Sequence, residues 1–275
     1  MGIFRVPKWV NEHTFEYDSI ADVSPEKLRS IKEGLKQFNT SEPKASLLMP
    51  AYNEEAEIIR TLSSLSKLNL PFETELIISN NNSTDSTQEI LDELGVRSLF
   101  VKEQGVSYAR QAGIEEAKGE IIISCDADSI YPPLYGLHFY NELKNNSKTG
   151  SVYGRYSFIP SDGHARFPLF LYEQLAEVMK TVRKRKEEAI NVLGFTFAYR
   201  RQEALDVGGF NHKMKRGEDG SMAGALRDQG YGAVVKITHP ENHVWTSDRR
   251  LMENGTLANT LRVQAKREMY RWKRI

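Results

Sequence analysis

A chain of 275 residues carries 37 basic and 37 acidic side chains, so no global field directs it to a polyanion, and no nucleic-acid partner is expected. The single cysteine, Cys125, excludes an internal disulfide and a multi-thiolate metal centre. No apolar run reaches the ~18 residues of a membrane-spanning helix, and the N-terminus shows no export or acylation signal, so a cytoplasmic chain is expected.

Ser24-Pro25-Glu26 reads as a helix start, and Leu28, Ile31, Leu35 and Phe38 follow at helical spacing. Residues 1–43 are therefore an N-terminal helical extension. From Ala45 short apolar runs take over: Ser46 to Met49, Glu75 to Ile78, Ser98 to Val101 and Glu120 to Ile123, separated by amphipathic stretches. That alternation predicts an α/β fold with a Rossmann-like, mostly parallel sheet and helices on both faces. Cys125 falls in it as a buried strand residue. The second half predicts a strand over Ser151 to Phe158, a long helix from Pro168 to Glu188 and a strand near Asn191 to Tyr199. A short helix from Arg201, a break at Gly208-Gly209 and a helix over Ser221 to Gln229 follow.

Ligands of such sheets bind at the carboxyl ends of strands. Three ends carry polar clusters: Pro50-Ala51-Tyr52-Asn53-Glu54-Glu55, Asn80 to Asp85, and Asp126-Ala127-Asp128. Asn53 and Ser83 to Asp85 also suit turns and helix caps. Two carboxylates two residues apart at one strand end repel each other, and a hard divalent cation with oxygen ligands relieves that repulsion.

The order of Pro50-x-Tyr52-Asn53-Glu54, Ser83-Thr84-Asp85, Gly105-x-x-x-Ala109-Arg110-x-x-Gly113, Asp126-Ala127-Asp128, Arg200-Arg201, Gly208-Gly209-Phe210, Glu218-Asp219 and Gly230-Tyr231 resembles family 2 glycosyltransferases of the GT-A fold, from about Ala45 to about Arg250. The resemblance implies an inverting transfer of sugar from a nucleoside diphosphate to a hydroxyl acceptor, assisted by Mn²⁺ or Mg²⁺. It places Pro50, Ala51, Tyr52 and Glu54 in the donor loop, with Tyr52 against the nucleobase and Asn80 reading its edge. It puts Arg110 toward the nucleotide, Asp126 on the ribose and Asp128 on the metal. Asp219 becomes the general base with Glu218 in support, and sequence does not order that pair. Their other reading is as acids favoured by a helix N-terminus.

Two departures qualify the resemblance. Many relatives carry Asp where Asn80 stands; a neutral amide favours uridine, with cytidine open, over guanine, whose adjacent donors suit a carboxylate. Thr246 falls near the position of a histidine metal ligand, and His243, out of step, is read as a surface or packing histidine. Metal affinity is then expected to lean on the donor phosphates.

The acceptor is expected in the second half of the domain, around Arg155 to Asn191. Phe167, Leu169, Phe170, Tyr172, Leu175 and Met179, followed by Arg183-Lys184-Arg185-Lys186, read first as a core-facing stripe with a solvated charge run. The alternative is an apolar, cationic-rimmed approach for a lipid-linked or phosphate-bearing acceptor. From Arg249 onward Arg250, Arg262, Lys266, Arg267, Arg271, Lys273 and Arg274 face only Glu253 and Glu268. That basic helix either contacts an anionic membrane, at its inner face for a cytoplasmic chain, or packs Tyr270 and Trp272 back onto the domain. The expected organisation is one domain over 44–250, its nucleotide half 44–130 and acceptor half 131–250, flanked by the extension at 1–43 and the helix at 251–275. A non-catalytic nucleotide-sugar-binding module and a sugar nucleotidyltransferase are the alternative functions.

Overall fold

The computed structural model describes residues 4–161, 164–184, 187–214, 216–249, 251–252, 259–260 and 262–263. In chain order the elements are α1 (Lys8–Asn11), α2 (Pro25–Leu35), β1 (Ala45–Ala51), α3 (Ile58–Leu65), β2 (Thr74–Asn80), α4 (Thr87–Leu94), β3 (Ser98–Phe100), α5 (Val106–Glu116), β4 (Ile121–Ser124) and β5 (Ser129–Ile130). They continue with α6 (Leu137–Asn145), β6 (Thr149–Tyr153), β7 (Arg155–Ile159), α7 (Arg166–Lys184), β8 (Phe197–Arg200), α8 (Arg201–Asp206), α9 (Glu218–Asp228), β9 (Ala233–Lys236) and β10 (His243–Ser247).

The main sheet runs β3-β2-β1-β4-β8-β6-β9, and only β8 opposes its neighbours. Strand alternation sorts the core into two layers. Leu47, Met49, Ile78, Ile121 and Ile123 meet Ile58, Ile59 and Leu62 of α3 and Ile31 and Leu35 of α2. Leu48, Ile77 and Ile122 point the other way, to Ile114 of α5 and Met222 and Leu226 of α9. Because both faces are covered, β1 and β2 are buried almost along their whole length, with Leu47-Leu48-Met49 and Leu76-Ile77-Ile78 as unbroken apolar runs at their centres. Each fully buried Leu or Ile contributes about 1.5–3 kcal/mol of transfer free energy. Helix α2 starts as its sequence says, with Pro25 at its first position and Ser24 Oγ accepting from the Lys27 N–H at 3.3 Å.

The second half differs from the sequence expectation in four places. The strand expected over Ser151 to Phe158 is two strands in different sheets: it breaks at Gly154, and β7 joins β5 and β10 in a separate sheet ordered β5-β10-β7. A side chain at 154 would meet the Phe139 ring and the Asn242 carbonyl, so only glycine passes there. The strand expected near Asn191 begins only at Phe197, after short 3-10 turns at Glu188–Asn191 and Gly194–Thr196. Helix α9 starts three residues early, which makes Glu218 and Asp219 first-turn residues. Helix α7 is not a simple core-facing stripe: Leu169 and Tyr172 are buried, whereas Phe167 and Leu175 are exposed. Arg185, Lys186, Arg250 and most of the basic C-terminal segment, including Tyr270 and Trp272, lie outside the described residues.

Candidate active site

The ends of β1 and β2 are tied to each other by their own polar side chains. The Asn53 N–H donates to Ser83 Oγ at 3.1 Å, and Asn53 Oδ1 accepts from the Thr84 N–H at 2.8 Å. Glu55 N–H donates to Asp85 Oδ2 at 3.0 Å and Ser86 N–H to Glu55 Oε2 at 2.9 Å. Asn53, with φ of 52°, takes the left-handed conformation that this exchange requires. Ser83 to Asp85 thus act as turn formers, and what they hold out is Tyr52, 49% exposed.

Helix α5 follows Gly105, whose φ of 139° is open to glycine and whose N–H donates to Asn81 Oδ1 at 2.7 Å. One turn in, Arg110 is buried beneath the strand ends. Its Nη2 donates to Asp126 Oδ1 at 3.0 Å, and its Nε lies 3.2 Å from Asp219 Oδ1 and 4.0 Å from Glu218 Oε1. Three carboxylates thus share one guanidinium. Burial raises the Asp219 carboxyl to about 7; Arg110 pulls it down, while Glu218 and Asp126 push it up. Arg110 Nε and Nη1 and Asp219 Oδ1 have no hydrogen-bond partner among the described residues. Gly194 lies against this cluster, where a methyl group would strike the Arg110 guanidinium and approach Asp219 Oδ2.

These elements enclose a cleft of about 550 Å³. Pro50, Ala51, Tyr52 and Glu54 line it together with Arg110, Asp126, Glu218 and Asp219. Asn80 and Asp128 are not among the lining residues. Asn80 is buried, its Oδ1 accepting from the Ser83 N–H at 3.0 Å and its Nδ2 donating to Gln88 Oε1 at 2.8 Å. Its neighbour Asn81 lines the cleft instead. Asp128 faces an adjoining recess of about 310 Å³ with Glu57, Arg60, Thr61 and Ser247. Arg249 bridges the two, its Nη2 at 2.7 Å from Glu54 Oε2 and 4.0 Å from Asp128 Oδ2. Sequence reasoning missed Asn81, Glu57, Gly194 and the inward role of Arg249. Only Gly194, a glycine inside an apolar run, carried a local signal.

The recess carries Glu57 and Asp128 beside Arg60, and burial raises Glu57, with Asp128 adding to the rise and Arg60 opposing it. His243 does not belong to it: it is buried, its Nε2 is 2.9 Å from Ser157 Oγ, and burial first, then Arg155 and Arg166, lowers it to about 4, so it packs as a neutral ring. Thr246 pairs with Ser129, next to Asp128. Among the described residues, His138, His239 and Glu241 form a separate group, with ligand atoms within 4.8 Å of one another, near the start of β10; Asp128 meets the other end of that strand.

Residues 46–208 match the family model described as glycosyl transferase family 2. Among curated proteins, the probable glycosyltransferase YdaM of Bacillus subtilis (strain 168) is 32% identical over 138 residues, covering 46% of this chain and 32% of its own length. Poly-beta-1,6-N-acetyl-D-glucosamine synthase of Staphylococcus epidermidis is 33% identical over 114 residues, 40% of this chain and 27% of its own. The chain therefore matches about a third or less of the length of these relatives. Among solved structures, mannosyltransferase PcManGT from Pyrobaculum calidifontis in complex with GDP-Man and Mn²⁺ superposes with a TM-score of 0.55 at 18% identity, over 87% of this chain and 72% of that one. Glucosyl-3-phosphoglycerate synthase from Mycobacterium tuberculosis, with Mn²⁺, UDP-glucose and phosphoglyceric acid, gives 0.51 at 20% identity, over 79% and 74%. At such identities these structures establish the GT-A fold.

Proposed function

The chain belongs to glycosyl transferase family 2, and from that premise we propose that it moves a sugar, with inversion, from a nucleoside diphosphate to an acceptor hydroxyl in the cleft between Tyr52 and Asp219. The observation that carries this reading is Asp219: a buried carboxyl raised to about 7, on the wall of a cleft, with an oxygen left without a hydrogen-bond partner among the described residues. A base poised near neutrality removes a proton best at neutral pH. In a single displacement the acceptor oxygen bonds to the anomeric carbon as the bond to the diphosphate breaks, and the acceptor proton passes to Asp219.

The other residues divide the remaining work. Tyr52 offers an exposed ring to the nucleobase, and the loop from Pro50 to Glu54 shapes that wall. Asp126, fixed by Arg110, presents a carboxylate to ribose hydroxyls, and Glu218 keeps the field around Asp219 negative. Arg110 is a positioning residue that stops three carboxylates from expelling one another. Asp128, with Glu57 in the same recess, would hold Mn²⁺ or Mg²⁺, which when bound stabilises the charge building on the departing diphosphate. The Mn²⁺ in the two similar structures supports that assignment. Asn80, buried and bonded to Ser83 and Gln88, lies outside the cleft and does not select the base, so the proposed donor is a nucleoside diphosphate sugar whose base the panel below identifies. The acceptor is a glycan or a lipid-linked hydroxyl entering from the second half of the domain. Release of nucleoside diphosphate from a panel of UDP-, CDP- and GDP-sugars, with and without Mn²⁺, tests the reading. Metal-dependent release from one donor class supports it; no release and no binding of any nucleotide removes it.

A further inference from the structure

Helix α7 is apolar on two sides. Its inner side packs Leu169 and Tyr172 against Phe158 and Leu251. Its outer side presents Phe167 at 53% exposure, Leu171 at 51%, Leu175 at 47%, Val178 at 62% and Val182 at 45%, spaced to fall along one face. The charges between Arg166 and Val182 turn inward instead. Glu173 is buried and bonded to Arg166 Nη2 at 2.7 Å, Lys180 is buried with Glu177 at 3.1 Å, and Glu177 also holds Lys236. A helix face this long with no outward charge is costly in water and marks an interaction surface.

We propose that the outer face of α7 docks on the surface of an anionic lipid bilayer. Charge beside this face selects the occupant. Phe4 extends the apolar face, its ring 5.9 Å from Phe167 and 5.8 Å from Phe170, edge-on to both, and beside it Arg5 and Lys8 are exposed. An apolar face flanked by exposed cations is the form that lies in an interface and draws on anionic headgroups. No helix among the described residues is long and apolar enough to cross a bilayer, so α7 lies along the surface.

The docking has a consequence for the cleft. Asn191 Nδ2 donates to the Lys180 carbonyl at 3.0 Å, tying α7 to the segment Val192 to Phe195 that forms one cleft wall. A docked α7 therefore brings that wall toward the lipid, which suits an acceptor carried on a lipid. This orientation rests on the cleft being the donor site, whereas docking itself does not.

Sedimentation of the full-length chain, without nucleotide, with vesicles of phosphatidylcholine alone or mixed with phosphatidylglycerol tests the proposal. Binding to the mixed vesicles is expected, at least tenfold tighter than to phosphatidylcholine and weakened by salt. Leu171→Glu combined with Val178→Glu should weaken it at least tenfold while the circular dichroism and melting temperature stay unchanged, since both side chains are exposed. Leu175→Gln should act in the same direction. The proposal is overturned if the wild-type chain ignores anionic vesicles, or if the doubly substituted chain binds them equally well. It is also overturned if light scattering shows a dimer that those two substitutions dissociate, because a second copy then covers the face. Donor turnover in solution is read separately, so loss of vesicle binding with turnover intact strikes the docking alone.

Discussion

Arg110 Nε lies 3.2 Å from Asp219 Oδ1, and both side chains are buried at the point where β4, α5 and α9 converge. Burial of Asp219, opposed by Arg110 and reinforced by Glu218 and Asp126, sets the pH behaviour of the cluster.

The Asp219 carboxyl stands at about 7 in the folded chain, against about 3.9 for an ordinary aspartate. Between these values the folded state binds more protons than the unfolded one, so this group's contribution to stability is full below pH 4 and declines until pH 7. Asp219→Asn removes the decline. The variant should melt higher than wild type at pH 8, with the gap narrowing at pH 5, in paired thermal scans. The acid limb of donor turnover should rise through about pH 7.

Arg110→Met leaves buried carboxylates without their counter-ion, a change that typically costs about 3–5 kcal/mol. Urea unfolding at pH 8 should show that loss. At pH 5, where Asp219 is protonated, the loss should be smaller. An equal loss at both pH values would mean that packing, not charge, dominates.

Gly194→Ala puts a methyl group into the guanidinium of Arg110. Overpacking of this kind costs about 1–3 kcal/mol, and Arg110 can yield only by leaving Asp126 or Asp219. A lower melting temperature together with reduced turnover is expected. Gly208 serves as the comparison: its φ of 89° also disfavours a side chain, but a methyl group there would meet no atom within 4 Å. Gly208→Ala should therefore lower stability and spare turnover.

Arg249 sits 4.0 Å from Asp128, where its charge would oppose the cation proposed to bind there. Arg249→Met should tighten Mn²⁺ binding in calorimetry without nucleotide, by about threefold to tenfold at low salt. Asp128→Asn should abolish it. Tighter binding in neither the single nor the salt-varied titration would separate Arg249 from the metal.

What sequence could reveal depended on how far apart the interacting residues stand. The apolar runs of β1 to β4 and the residues just past them are local patterns, so the mostly parallel sheet and the lining of the cleft by Tyr52 and Asp126 were legible, whereas Asp219, at the start of α9, was reached only through the family resemblance. Arg249 meets Glu54 across 195 positions, a pairing that no local pattern encodes. The outward face of α7 was hidden for another reason: an apolar helix side looks the same in sequence whether it meets the core or the solvent. Asn80 stood at the expected strand end, yet the pleat sends it beneath the turn and leaves Asn81 on the cleft wall.

Turnover of Asp219→Asn tests the central claim most directly. Proton removal by a positioned carboxylate is worth on the order of a hundredfold to ten-thousandfold in rate, so the near-isosteric amide should lower turnover by about that factor. Donor affinity should barely change, because Tyr52 and Asp126 remain in place. If Asp219→Asn keeps wild-type turnover while Glu218→Gln loses it, the base is Glu218; if both variants turn over normally, neither carboxylate is the base and the proposed mechanism is contradicted.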